Sequence, residues 1–140
     1  MTRRSILSLL PAGALAARAE QGERLRGRLR SAGAELIFEG PNGPVALSGD
    51  ADSLRVMRDP RLRNDEFELN GHTPAAGRFS IDPIHTRAIF VWRKGRRLVV
   101  TYWCAVCAIR AWTPGKCQCC QEEMDLDPRD PSLKETDPSD

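Results

Sequence analysis

The residues best suited to chemistry are five cysteines confined to a short stretch near the end of the chain. Four of them form two Cys-x-x-Cys pairs with nine residues between the pairs: Cys104, Cys107, Cys117 and Cys120. Each pair can turn two sulfurs toward one point, so two pairs on neighbouring turns can place four sulfurs at the corners of a tetrahedron. Zinc suits that arrangement, with Zn–S bonds of about 2.3 Å. The spacing therefore predicts a four-cysteine metal site that holds Zn²⁺.

Three further side chains are candidates for additional ligands. Cys119 and Met124 lie inside and just after the second cysteine pair and would supply soft sulfur atoms. His85 precedes a predicted β-hairpin whose far end leads into Cys104, so pairing across the hairpin brings the histidine near the site. The alternative for His85 is an ordinary hydrogen-bonded histidine at the end of a strand.

The segment also carries a longer pattern, Tyr102-Trp-Cys104-Ala-Val-Cys107, then Pro114-Gly115-Lys-Cys117-Gln-Cys119-Cys120, then Met124-Asp125-Leu126. This pattern resembles the small heavy-metal-binding domain of copper-transporting ATPases and periplasmic metal-efflux adaptors. That family reads Tyr-x-Cys-x-x-His, a spacer, Pro-Gly-x-Cys-x-x-Cys and then Gly-Met-x-Leu. The resemblance covers about 25 residues and implies metal binding. Cys107 stands where the family has histidine, which makes the site softer and favours zinc or Cu(I).

Three functions remain open for the cysteines. The first is a structural zinc site that holds together a ribbon too small to have its own core. The second is a soft-metal site, with copper as the alternative ion, that hands metal to a partner or senses it. The third is a disulfide-stapled or thiol-redox domain, because an oxidising compartment favours disulfides. In that case two disulfides leave one of the five cysteines over, and adjacent Cys119 and Cys120 bridge each other only with strain.

Residues 1–19 have the three parts of an export signal. Arg3 and Arg4 form a positive end, a mildly apolar stretch follows, and Ala17-Arg18-Ala19 matches a cleavage site. The arginine pair with the residues around it resembles the bacterial twin-arginine motif. We expect a periplasmic or secreted protein exported by that route, with general secretion and no export as the alternatives. The apolar stretch is too short for a bilayer, so no transmembrane segment is expected in the mature chain.

The charge balance gives no support for nucleic-acid binding. The chain has 21 basic and 19 acidic residues, but three of the arginines lie in residues 1–19, which contain no acid. The remainder therefore carries 18 basic against 19 acidic residues, whereas a nucleic-acid-binding domain is usually strongly basic. We expect no nucleic-acid partner.

Residues 20–87 have the pattern of a small β-barrel. Apolar residues alternate in short runs separated by turn residues, and a short helical stretch interrupts the runs. The expected elements are three strands, a helix and two strands, at residues 23–30, 35–39, 45–47, 52–58, 67–69 and 79–81. This order resembles the OB-fold. The phenylalanines of these strands are expected to face the core: Phe38, Phe67 and Phe79.

Residues 88–127 are predicted to form a β-hairpin followed by the cysteine ribbon, and residues 128–140 an acidic, disordered tail. Arginines cluster at the hairpin tip, so this region leaves room for an unidentified protein partner. No nucleophile motif, phosphate-binding glycine loop or distinctive carboxylate pair is present in the sequence. The sequence thus predicts a mainly β, non-enzymatic protein: an OB-like barrel, a hairpin and a C-terminal zinc-ribbon-like metal knuckle.

Overall fold

A computed structural model describes residues 22–132. The expected export signal and residues 133–140 of the expected tail lie outside this range. The elements in chain order are β1 (Glu23–Ala32), β2 (Leu36–Gly40), β3 (Gly43–Ser48), α1 (Ala51–Met57), a 3₁₀ turn (Pro60–Leu62), β4 (Glu66–His72), β5 (Arg78–Ile81), α2 (His85–Ala88), β6 (Ile89–Arg93), β7 (Arg96–Val99), β8 (Tyr102–Cys104), β9 (Ile109–Ala111) and β10 (Asp125–Leu126). Among these helices, none has the length and apolar character needed to cross a membrane.

The first five strands close into a barrel. Their order is β1-β2-β3-β5-β4, and β4 pairs back onto β1 to complete the circle. The β3–β5 pair is parallel and the other pairs are antiparallel. This closure confirms the mainly β, OB-like prediction. Strand β1 pairs with both β2 and β4, and two features of the strand allow this. Its register with β2 shifts between Leu29 and Ser31. Gly27 has no side chain, and a Cβ atom there would collide with the carbonyl oxygen of Glu39.

The barrel core is built from the inward residues that the alternating pattern predicts. Phe38, Phe67 and Phe79 are all buried, and the rings of Phe38 and Phe67 meet edge to face with centroids 6.3 Å apart. Helix α1, which lies between β3 and β4 along the chain, buries Val56 and Met57 in the core. Asp50 caps this helix by accepting a 2.8 Å hydrogen bond from the Ser53 amide, so the helix starts close to the predicted position.

The hairpin β6–β7 continues the barrel sheet, because β6 pairs with β4 and the full order becomes β1-β2-β3-β5-β4-β6-β7. Two of the arginines near its tip bind barrel acids. Arg93 makes a two-pronged contact with Asp65, at 2.9 and 2.7 Å, and Arg97 contacts Glu68 at 2.6 Å. These pairs fasten the hairpin to the strand beside it.

The chain after the ribbon lies against the free edge of β7. Val99 and Arg129 exchange two backbone hydrogen bonds of 2.7 and 2.9 Å. Arg129, which belongs to the segment expected to form a disordered tail, therefore satisfies backbone groups at an open sheet edge. A second, three-stranded sheet of order β10-β8-β9 carries the cysteines.

Candidate metal centre

The four cysteines of the two pairs come together at one point. The sulfur atoms of Cys104, Cys107, Cys117 and Cys120 all lie within 4.8 Å of one another, and those of Cys104 and Cys120 are 3.5 Å apart. In a tetrahedral zinc site with bonds of about 2.3 Å, neighbouring sulfurs are about 3.8 Å apart. The sulfurs therefore fit around one metal ion, as the spacing predicts.

The two Cys-x-x-Cys turns have matching backbone geometry. In each, the residue after the second cysteine donates its amide to the carbonyl of the first: Ala108 to Cys104 at 2.8 Å, and Gln121 to Cys117 at 2.9 Å. Both donors have positive φ, 53° for Ala108 and 64° for Gln121. That left-handed conformation is costly for residues with a side chain. Its use at both equivalent positions shows that the turns share one shape, which points each pair of sulfurs inward.

Backbone amides also point at the sulfur atoms. The Cys107 amide lies 3.4 Å from the sulfur of Cys104. At the second turn, hydrogen bonds from the Cys120 and Cys119 amides lower the pKa of Cys117 to about 7. A thiol with such a pKa is about half ionised at pH 7, and the thiolate is the form that binds metal.

Burial divides the cluster into an inner and an outer side. The inner cysteines are the first of each pair, with Cys104 3% and Cys117 1% exposed. The outer ones, Cys107 and Cys120, are half-buried. The inner sulfurs thus face the protein interior, and the outer ones lie at the surface.

Short backbone contacts hold the second turn in place. The Met124 amide donates to Gly115 at 3.0 Å, and the Cys117 amide donates to Glu122 at 2.8 Å. Gly115, two residues before Cys117, has φ of 134°, a conformation that glycine adopts without strain. Strand β10 then pairs with β8, so the chain on both sides of the turn is fixed.

Two arginines from the α1 region, which comprises helix α1 and the 3₁₀ turn after it, attach the cysteine ribbon to the barrel. Arg55 donates to the carbonyl of Pro114 at 2.7 Å, and Arg61 donates to that of Met124 at 2.9 Å. The apolar core is continuous across the same junction, where ribbon and α1-region side chains are buried in one cluster: Val56, Met57, Leu62, Tyr102, Cys104, Cys117 and Met124. The cysteine cluster is therefore supported by the barrel.

A buried polar group lies beneath the ribbon. The Tyr102 hydroxyl donates to Asp59 at 2.8 Å, and Arg61 also binds Asp59 with its side chain. Burial would raise the pKa of Asp59, but the hydrogen bonds from Arg61 and Tyr102 outweigh it and hold that pKa below its ordinary value. No local sequence pattern singles out Asp59, because its tyrosine partner lies 43 positions away along the chain.

The three candidates for additional ligands lie in different surroundings. The His85 ring nitrogen Nε2 lies 2.8 Å from the carbonyl oxygen of Trp112, so the histidine contacts the ribbon loop but lies outside the sulfur quartet. Met124 is buried, 4% exposed, in the shared core. Cys119 is exposed, and its side chain interacts with that of Cys107, an interaction that raises the pKa of Cys107.

No protein-family model, curated protein or solved structure matches this chain.

Proposed function

We propose that this chain is an exported small metal-binding protein in which four cysteines hold one structural Zn²⁺. The observation that carries the proposal is the meeting of four sulfurs within 4.8 Å of one another, on two turns of the same shape. Four thiolates around one ion form the closed site typical of structural zinc. Four thiolates at such distances would repel one another, and the positive charge of the ion would offset that repulsion.

The ribbon needs such an ion because it has little structure of its own. Its strands are short, three residues each in β8 and β9 and two in β10. A segment of that kind cannot bury enough apolar surface to offset the entropy of ordering it, so metal binding supplies folding free energy. In this account Cys104, Cys107, Cys117 and Cys120 hold the ion, and the α1 region holds the ribbon.

Binding, and not catalysis, is the proposed role of the site. A catalytic zinc keeps a position open for water or substrate, whereas four cysteine ligands fill the coordination sphere. We further propose export by the twin-arginine route, supported by the residues 1–19 pattern. Thiolates that are bound to a metal before export would be protected from disulfide formation in an oxidising compartment.

Handling of a soft metal such as copper is the second candidate. It is favoured by the exposed fifth thiol, Cys119, which interacts with the half-buried ligand Cys107. Thiolates suit Cu(I) as well as zinc, so the donor set alone does not select the ion. The resemblance to heavy-metal-binding domains supports the same candidate.

Metal analysis of matched serine variants tests the proposal. Purified protein should hold one zinc per chain. Cys117→Ser should lose it, because this sulfur is buried and accepts two backbone hydrogen bonds, whereas Cys119→Ser should keep both zinc and fold. Retention of zinc by Cys117→Ser would contradict the four-cysteine site. Copper in the native protein, with weaker Cu(I) binding in Cys119→Ser, would favour the second candidate.

A further inference from the structure

We propose that the cleft beside strand β9 binds an extended acidic segment of a partner protein, which adds to the ribbon sheet as a fourth strand. The cleft has a volume of about 560 Å³ and is lined by all three residues of β9 and by residues 113–119. Its volume falls in the usual range for ligand sites, about 300–1,000 Å³. The inference goes beyond the proposed metal binding, which holds the cysteine turn beside the cleft in shape.

Strand β9 is an uncovered edge of its sheet. The order β10-β8-β9 gives it one neighbour, so within residues 22–132 the backbone groups on its other side have no strand partner. Proteins often protect such edges with proline or an outward charge. Strand β9 has no proline, and the side chain of its Arg110 is turned to Thr101 and Asp127. An extended peptide can therefore pair with this edge.

Exposed apolar side chains accompany the free edge. Ile109 on β9 is 44% exposed, and Val106 in the turn before it is 74% exposed. Large apolar side chains grouped at the surface are typical of interaction sites. Ala111 also lines the cleft and shares a face of the strand with Ile109, because alternate residues point the same way. A partner segment with alternating apolar residues would cover this face.

The charge of the cleft favours an acidic segment. All charged residues that line it are basic: Arg55, Arg110 and Lys116. Arg110 is bound to Asp127 at 2.8 Å, and Arg55 lies 3.9 Å from Asp52, with both side chains more than half exposed. Lys116 is exposed and forms no ion pair with any residue of the described range. A carboxylate of the partner would complement this charge.

Peptide binding measured by fluorescence anisotropy tests the inference. The probe is a fluorescein-labelled six-residue peptide that alternates valine with glutamate, added to the untagged chain as purified. We expect saturable binding with a Kd below about 1 mM. N-methylation of the peptide amides should abolish binding, because it blocks pairing with β9. Absence of saturable binding up to about 1 mM, or equal binding of the N-methylated peptide, would overturn the inference.

Two lysine variants form the matched pair. Lys116→Glu and Lys94→Glu each reverse one exposed lysine, but Lys94 lies in the turn between β6 and β7. Lys116→Glu should weaken peptide binding by about tenfold at low salt and by less at high salt, because salt screens the charges. Lys94→Glu should bind the peptide like the wild type. Equal weakening in both variants would show that only net charge attracts the peptide and would overturn the assignment to the cleft.

Hydrogen exchange locates the bound peptide independently of charge. Residues 109–111 should gain protection when the peptide is present, because new backbone pairs cover the edge of β9. Protection of the β6–β7 turn in place of β9 would overturn the inference. A chain that holds zinc but shows no protection of β9 would overturn it and leave the proposed function intact. A chain that holds no metal but shows this protection would do the reverse.

Two other occupants would give different results. A dimer of this chain that the peptide dissociates would identify a second copy as the occupant. Tighter peptide binding by the full chain with Glu135→Gln and Asp137→Asn would identify the acidic residues at its own end. Either result would overturn a partner protein as the source of the segment.

Discussion

The hydroxyl of Tyr102 donates a 2.8 Å hydrogen bond to the carboxylate of Asp59, and both groups are buried. Tyr102 begins β8, the strand that leads into the first cysteine, whereas Asp59 caps the 3₁₀ turn after α1. Burial and the adjacent carboxylate both raise the pKa of Tyr102, so its phenol stays protonated and able to donate. This bond joins the cysteine ribbon to the barrel at a point sealed from solvent.

Removing the Tyr102 hydroxyl should destabilise the whole protein. Tyr102→Phe leaves a buried carboxylate oxygen with one donor fewer, and we expect the free energy of unfolding to fall by about 1–3 kcal/mol. Urea denaturation of the zinc-loaded protein measures it. As a control, Tyr102→Phe added to Asp59→Asn should cost less than it does alone, because the partner charge is already gone. Equal costs in both backgrounds would show that the two residues act independently.

The stability of the protein should fall in acid partly through Asp59. Its pKa is lower in the folded protein, so its contribution is full above the pKa of an unfolded aspartate, about 4, and is lost as the pH falls through the folded value. Asp59→Asn should be less stable at pH 7, and the gap from wild type should narrow below about pH 4. A metal bound by the thiolates would be lost from both proteins in acid, so the difference in stability between them reports Asp59. A gap that stays constant down to pH 2 would contradict this role.

Glycine at the left-handed turn position should stabilise the second turn. Gln121 has φ of 64°, and relief of that strain outweighs the extra freedom that glycine gives the unfolded chain. We expect Gln121→Gly to add roughly 0.5–1 kcal/mol to the free energy of unfolding. Gln118→Gly, in the same turn but without positive φ, is the control and should destabilise slightly. The reverse order of these variants would contradict the described turn.

Metal removal should loosen the ribbon before the barrel. After treatment with a strong chelator, the amides of Ala108 and Gln121 should exchange with solvent much faster, because their hydrogen bonds depend on the cysteine turns. Amides of the β1–β4 ladder, such as those paired at Leu25 and Leu69, should keep most of their protection. Hydrogen exchange followed by mass spectrometry measures both. Equal loss of protection in ribbon and barrel would show that the two unfold as one unit.

The barrel and the group of four cysteines could be predicted from short sequence patterns. Alternation and turn residues predicted the order of the barrel's strands and helix along the chain, and the inward positions of Phe38, Phe67 and Phe79 are confirmed. The Cys-x-x-Cys spacing predicted which four sulfurs meet, because each turn fixes its own pair. In each case the needed information lies within a few residues.

Contacts between residues far apart in the sequence could not be predicted, because no short sequence pattern indicates them. The Tyr102–Asp59 bond and the two arginine contacts to the ribbon join residues that are 43 to 63 positions apart. The pairing of Val99 with Arg129 is also nonlocal, and composition alone indicated a disordered tail there. Hairpin pairing alone did not indicate that His85 begins helix α2 or that its ring nitrogen Nε2 lies 2.8 Å from the carbonyl oxygen of Trp112.

The metal and thiol content of the untagged protein, isolated from the compartment where it resides, tests the central claim most directly. Elemental mass spectrometry combined with thiol alkylation should find one zinc per chain, four protected cysteines and a reactive Cys119. A chain without metal that carries two disulfides and one free thiol would contradict the account and identify a disulfide-stapled domain.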